Sequence, residues 1–205
     1  MINHKLYKAN CLLLFIACAG ILYPCQSAAQ VRKYSNEFLS IGIGARGLGM
    51  SNALICSVND ATSGYWNPAG LTGINSNLQI AAMHSEYFAG IAKYDYAAIA
   101  TRIDSSSALS LSYIRFGIDD IPNTIDLIDH TGNINYDRIK KFSSSDNAFL
   151  VSYSRQLKIP GLRVGASAKV IYRKAGDFAR AWGFGLEAGA QYDRSNWKFA
   201  LMARD

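Results

Sequence analysis

Hydrophobic and polar residues alternate along much of the chain after residue 77, and the cleanest run is Ala181–Tyr192. Trp182, Phe184, Leu186, Ala188, Ala190 and Tyr192 take every second position, separated by Gly183, Gly185, Glu187, Gly189 and Gln191. Side chains of a strand point alternately to opposite faces, so the run predicts a strand with one apolar face and one small or polar face. At about 3.3 Å per residue, the stretch from Trp182 to Tyr192 is about 33 Å long. Tilted by about 40°, it rises about 25 Å, the height of the lipid-facing band of an outer-membrane barrel. Strands of soluble sandwiches seldom run this long.

The same period recurs in Leu78–Tyr87, Asp95–Ile103, Ser107–Phe116, Ala148–Gln156, Arg163–Arg173 and Trp197–Arg204. With hairpin-length or loop connections between them, these seven segments predict an antiparallel all-β sheet. Asp104–Ser106, Leu157–Gly161 and Asp193–Asn196 form a short set of connections. Phe88–Tyr94, Gly117–Asn147 and Lys174–Arg180 form a longer set at the other end. Short periplasmic turns and longer outer loops are the asymmetry of outer-membrane barrels. Tyr172, Trp182, Tyr192 and Trp197 would then serve as interfacial aromatics. The face opposite the apolar residues carries Arg163, Lys169, Arg173, Glu187, Lys198 and Arg204. In a barrel that face lines the lumen, and Glu187 is placed to pair with some of these cations.

The N-terminus changes the compartment. Residues 1–29 read as a cleavable secretory signal, with Lys5 and Lys8 before the apolar run Cys11–Leu22 and Ser27-Ala28-Ala29 before Gln30. Its removal takes Lys5, Lys8 and no acid, lowering the net charge from +6 to +4. That balance is too mild to argue for nucleic acid. Cys11, Cys18 and Cys25 leave with the signal, so Cys56 alone of the four cysteines remains and no internal disulfide is expected. Beyond the signal, no run offers the eighteen or so apolar residues of a spanning helix.

Between the signal and the first strand, residues 30–77 hold a glycine-rich turn at Gly42, Gly44, Arg46, Gly47 and Gly49, then Asn67-Pro68-Ala69-Gly70. Gly42–Gly47 fits G-x-G-x-x-G, but Gly47 and Gly49 interrupt any following helix and no βαβ unit follows, as a dinucleotide fold requires. Pro68 fixes its own φ and biases Asn67 to an extended backbone, while Gly70 permits a tight turn. The segment therefore reads either as a compact plug or as a surface turn leading into a strand.

The stretch Phe38–Met50 together with Asn59–Leu71 resembles the N-terminal signature of the PorV/PorQ-type outer-membrane proteins, within the wider class of FadL-like barrels. The resemblance extends through Arg173–Ala179 and Trp182–Gly185, with Ser51-Asn52 departing where glycine-like residues are expected. It implies an N-terminal hatch folded into the lumen, with Asn67, Pro68, Ala69 and Gly70 as its motif. It also implies a closed wall of about twice as many strands as seven, so the chain reads as the N-terminal half of a larger barrel. Such a protein would reside in the bacterial outer membrane against lipid. It would work as a non-enzymatic component of type IX secretion, contacting translocon partners or exported cargo. The alternative is a FadL-like channel for small hydrophobic molecules. No cofactor is expected. His84 and His130, the histidines after the signal, have no nucleophile elbow or metal spacing beside them. Asp119, Asp120, Asp126, Asp129, Asp137 and Asp146 make the long loop acidic, but without the regular offsets of a calcium loop.

Overall fold

The computed structural model describes residues 36–129 and 131–205; the expected signal, 1–29, and His130 lie outside the described residues. Seven strands follow one another as β1 (Leu78–Tyr87), β2 (Ala92–Arg102), β3 (Ser107–Asn123), β4 (Lys140–Gln156), β5 (Leu162–Ala175), β6 (Ala179–Arg194) and β7 (Trp197–Arg204). Each pairs antiparallel with the next, so sheet order equals chain order. The sheet curls into a half-barrel whose edges are β1 and β7.

All seven expected segments form strands, but boundaries move at three of the connections. β2 begins at Ala92 instead of Asp95. β5 and β6 run on to Ala175 and from Ala179, leaving a connection of 176–178. The largest change is in 117–147, expected as loop: β3 and β4 extend as a hairpin through most of it, and only 124–139 connects them. The cause is a β-bulge. The register slips between the Ile118↔Ser144 and Ile121↔Phe142 pairs, and Asp120 takes a left-handed φ of 58°. One extra residue on β3 inverts the inward–outward alternation beyond it, which hides the strand from a period-2 reading. The connection asymmetry shrinks accordingly: 88–91 and 176–178 are as short as the turns at the other end.

The acidic loop is thereby divided. Asp119 and Asp120 sit on β3 and Asp146 on β4, so Asp126, Asp129 and Asp137 remain in 124–139. There the Asp129 carboxylate accepts from Thr131 N (2.9 Å), Thr131 Oγ1 (2.7 Å) and Asn133 N (2.8 Å), closing a small turn beneath an Ile128↔Ile134 bridge. The Thr131 hydroxyl, helped by the Asn133 amide, holds this carboxyl below its usual range. Among the described residues no group of three or more His, Cys, Asp or Glu side chains is arranged to hold a metal.

The convex face of the sheet is apolar and exposed, while the concave face buries polar as well as apolar side chains. Trp182, Phe184 and Leu186 on the convex face are 66%, 75% and 73% exposed, whereas Lys169 and Glu187 on the concave face are 2% and 4% exposed. Residues 36–74 fill the concave side. Phe38, Leu39, Ile43, Leu54, Val58, Tyr65 and Trp66 from this segment form one cluster with Tyr94, Tyr96, Ile114, Leu150 and Ile171 of the sheet.

Candidate functional site: the occupied concave face

Residues 36–74 have little regular structure: a 3-10 turn at Glu37–Ser40, the short helices α1 (Ala45–Gly49) and α2 (Ser63–Trp66), and a 3-10 turn at Pro68–Gly73. Irregular backbone carries unpaired donors and acceptors, so burying it requires partners. The sheet supplies them in two adjoining rows of inward side chains. Strand register aligns Ser110, Ser152, Ser167, Glu187 and Arg204 in one row, and Ala108, Ser154, Gly165, Gly189 and Met202 in the next.

α2 and the turn after it lie on these rows. Ser152 Oγ donates to Gly64 O (3.3 Å), Ser167 Oγ to Gly64 O (3.4 Å) and Ser154 Oγ to Ala69 O (3.1 Å). Gln191 Nε2 reaches Ile55 O (2.8 Å) and Asn67 Nδ2 reaches Ala190 O (3.3 Å). Arg204 donates to Tyr65 O, and its guanidinium lies 5.1 Å from the centroid of the Tyr65 ring. At about 1 kcal/mol for each neutral bond, this set contributes several kcal/mol to docking.

The four motif residues Asn67, Pro68, Ala69 and Gly70 are all buried here. Asn67 takes the expected extended backbone (φ −162°, ψ 108°), caps the 3-10 turn by accepting from Ala69 N (3.1 Å), and donates to Ile55 O (3.1 Å). Pro68 opens the turn, where its missing N–H costs nothing. Close approach explains the strand glycines. A Cβ at Gly165 would stand 2.5 Å from Pro68 C and 2.6 Å from Ala69 N, and one at Gly189 would collide with Asn67 Oδ1.

The glycine-rich turn is a second brace. Gly42 and Gly44 have φ of 97° and 74°, which non-glycine residues rarely adopt. Ser51 and Asn52 also sit at left-handed φ, 51° and 66°, a conformation that glycine adopts more readily. Contrary to expectation, Gly47 and Gly49 do not prevent a helix: the five-residue α1 forms, with Gly47 packed beneath Trp66. Arg46 points to Ser57, 3.2 Å from its Oγ. Tyr65 joins the two braces, since its hydroxyl accepts from Gly42 N (3.1 Å) and donates to Leu39 O.

The polar side chains expected on this face take two positions. Lys169 and Glu187 form a buried pair that the exposed Arg204 extends into a triad, with Glu187 Oε1 3.2 Å from Lys169 Nζ and 3.3 Å from Arg204 Nε. Arg163, Arg173 and Lys198 lie toward the rims: Arg163 pairs with Asp193 (2.5 Å), Arg173 is bidentate on Asp146 (2.5 and 2.6 Å), and Lys198 is exposed. The triad belongs to the plug contact, a role that sequence spacing alone does not assign.

Of the four aromatics expected at interfaces, Tyr172 and Trp182 meet with tilted rings across β5 and β6 (ring centroids 4.6 Å apart), while Trp197 packs near Phe199 (6.3 Å) at the opposite end of the outward face. Tyr192 stands opposite Phe199. No protein-family model matches the chain, and no curated protein or solved structure matches it.

Proposed function

We propose that this chain forms wall and plug of an outer-membrane β-barrel and serves, without catalysing a reaction, as a component of type IX protein secretion. The observation that carries the membrane reading is the exposed apolar convex face of the sheet. On β3 the outward residues Leu109, Leu111 and Tyr113 lie between Ser107 and Arg115, and on β4 Tyr153, Val151 and Phe149 lie between Arg155 and Asn147. Eight residues at about 3.3 Å, tilted by about 40°, span about 20 Å, and Trp182–Tyr192 on β6 spans about 25 Å. These heights match the apolar belt of a transmembrane barrel. Within hydrocarbon the open edges of β1 and β7 require further strands to pair with, since unsatisfied backbone groups there cost several kcal/mol each.

The secretion role rests on the resemblance of Phe38–Met50 and Asn59–Leu71 to PorV/PorQ-type proteins. A plugged concave face is common to this role and to the alternative FadL-like conduit, and the choice of secretion rests on the resemblance. Residues 36–74 occupy the face that a permeant molecule would traverse, and their backbone is bonded to β4, β5, β6 and β7. Deleting the gene should leave type IX cargo unprocessed or misplaced with hydrophobic uptake unchanged. Normal cargo display with impaired uptake would reverse the choice.

A further inference from the structure

The apolar height of the outward face is not uniform around the sheet. On each strand it runs from the end beside the 103–106, 157–161 or 195–196 turn to the charged or amide side chain that closes the outward apolar run at the other end. β1 covers six residues from Leu78 to His84, with Asn75-Ser76-Asn77 before it, and β2 covers seven from Arg102 to Asp95. β3 covers eight from Ser107 to Arg115, and β4 nine from Gln156 to Asn147. β5 covers twelve from Leu162 to Lys174, and β6 fourteen from Arg194 to Arg180. Ile103 and Leu157, just past the strand ends, add one residue each to β2 and β4 without reversing the trend.

At about 2.5 Å of height per residue for strands tilted by about 40°, the apolar wall rises from about 15 Å at β1 to about 35 Å at β6. β4 and β5 bracket the height of about 25 Å usual for a barrel belt. The ladder shows the step directly. His84, Asp95, Arg115, Asn147, Tyr172 and Trp182 pair in succession along one row. β1, β2 and β3 thus carry charges where β5 and β6 carry aromatics.

These charges are held in place. Asp95 lies 2.6 Å from His84 Nδ1 and 3.4 Å from Arg115 Nη1. Asp119 lies 3.6 Å from Arg115 Nη2 and 3.4 Å from Lys93 Nζ. A free Lys or Arg extends its stem toward a more distant water boundary, but here the cations are tied to short carboxylates that have no such reach. Charge within hydrocarbon is costly, so headgroups or water reach down to this row. The pairs satisfy one another, which leaves no uncompensated charge among them for a protein partner to meet. A wall shorter than the hydrocarbon is accommodated by thinning of the bilayer, and a taller one by thickening.

Resting on the membrane reading above, we infer that the wall sits in a wedge of lipid, in which β1–β3 take phospholipids with short acyl chains and β5–β6 take phospholipids with long ones. Height fixes the occupant. A strip about 15–20 Å tall matches short chains, whereas hydrocarbon about 30 Å thick would bury the His84–Asp95–Arg115 row. The thinned side shortens the path that a polar group must take through the bilayer beside β1.

The test uses the full chain with Trp66→Phe, Trp182→Phe and Trp197→Phe, and a single tryptophan introduced as Leu111→Trp on β3 or Leu186→Trp on β6, two positions of one ladder row. Each protein is reconstituted into vesicles that mix dimyristoleoyl and dierucoyl phosphatidylcholine, with one lipid or the other brominated. The ratio of short-chain to long-chain quenching should be at least about twofold higher for Leu111→Trp than for Leu186→Trp. Adding His84→Leu, Asp95→Leu and Arg115→Leu, which raises the apolar run of β1–β3 to the row of Tyr172 and Trp182, should bring the two ratios together. Equal ratios before that addition would overturn this inference and leave the membrane reading standing. So would a Leu111→Trp that neither lipid quenches beside a Leu186→Trp that both do, since protein would then cover β3. A Leu186→Trp quenched by neither lipid would overturn the inference together with the membrane reading.

Discussion

Adding one methyl group at Gly165 should loosen the plug. The new Cβ would stand 2.5 Å from Pro68 C, 2.6 Å from Ala69 N and 2.9 Å from Pro68 Cβ. Two of these are backbone atoms of a turn fixed by proline, so relief requires moving the turn by about 1 Å to reach ordinary contact distances. Overpacking of this kind costs about 1–3 kcal/mol. The same movement stretches the Ser154 Oγ to Ala69 O bond from 3.1 Å beyond bonding range, adding about 1 kcal/mol. The better strand propensity of alanine returns a fraction of 1 kcal/mol. A net cost of about 2–4 kcal/mol raises the undocked population roughly 30- to 1,000-fold, since each 1.4 kcal/mol is a factor of ten. Gly183→Ala is the control, because the Cβ there would find Ile171 Cβ at an ordinary 3.6 Å. Hydrogen exchange in detergent micelles, followed on peptides spanning residues 63–74, reads the population directly. Exchange should accelerate in Gly165→Ala and stay near wild type in Gly183→Ala. Equal protection in all three proteins would refute the claim that Gly165 exists to admit the turn.

Glu187→Gln should leave buried Lys169 with the Asp205 carbonyl but without its carboxylate partner, since the Lys169 and Glu187 side chains are 1% and 2% exposed; a loss of about 3 kcal/mol is expected, measured as a fall in the temperature at which heat-resistant gel mobility disappears. Leu186→Arg on the outward face should cost about 2–4 kcal/mol in a bilayer if it sits near mid-depth, and Trp182→Arg near the interface about 0–1 kcal/mol; urea unfolding in lipid vesicles compares the two, and equal costs would contradict the assigned depths. The lowered Asp129 carboxyl gives a pH signature in the 124–139 loop. Its hydrogen bonds are in place above the usual carboxylate range and are lost as pH falls through the depressed value. Amide exchange at Thr131 and Asn133 should therefore lose protection only in strong acid, and Asp129→Asn should remove that step.

The strands were legible because outward and inward residues obey one period of two over most of the sheet. Where that period fails, so did the reading: Ile118, Asp119, Asp120 and Ile121 look irregular because the bulge at Asp120 reverses the faces in mid-strand. The turn chemistry of Asn67-Pro68 was readable from local backbone restriction, and it appears as an extended Asn67 capping a 3-10 turn. What receives that turn was not. Gly165 and Gly189 look like ordinary small strand positions, and only the register that aligns them beneath Pro68 and Asn67 reveals a docking lane. The triad of Lys169, Glu187 and Arg204 shows the same limit. Its charges were placed on one face, but their pairing and the reach of Arg204 to Tyr65 depend on contacts far apart in sequence.

The central claim is that the convex face meets lipid while the concave face is sealed by residues 36–74. The three tryptophans of the chain sample both sides: Trp182 and Trp197 are exposed on the convex face, and Trp66 is buried in the concave core. Proteins retaining one tryptophan each, reconstituted into vesicles of brominated phospholipid, test the claim by fluorescence quenching. The account predicts strong quenching of Trp182 and Trp197 and little of Trp66. Unquenched Trp182 and Trp197, or a Trp66 quenched as strongly as they are, would contradict it.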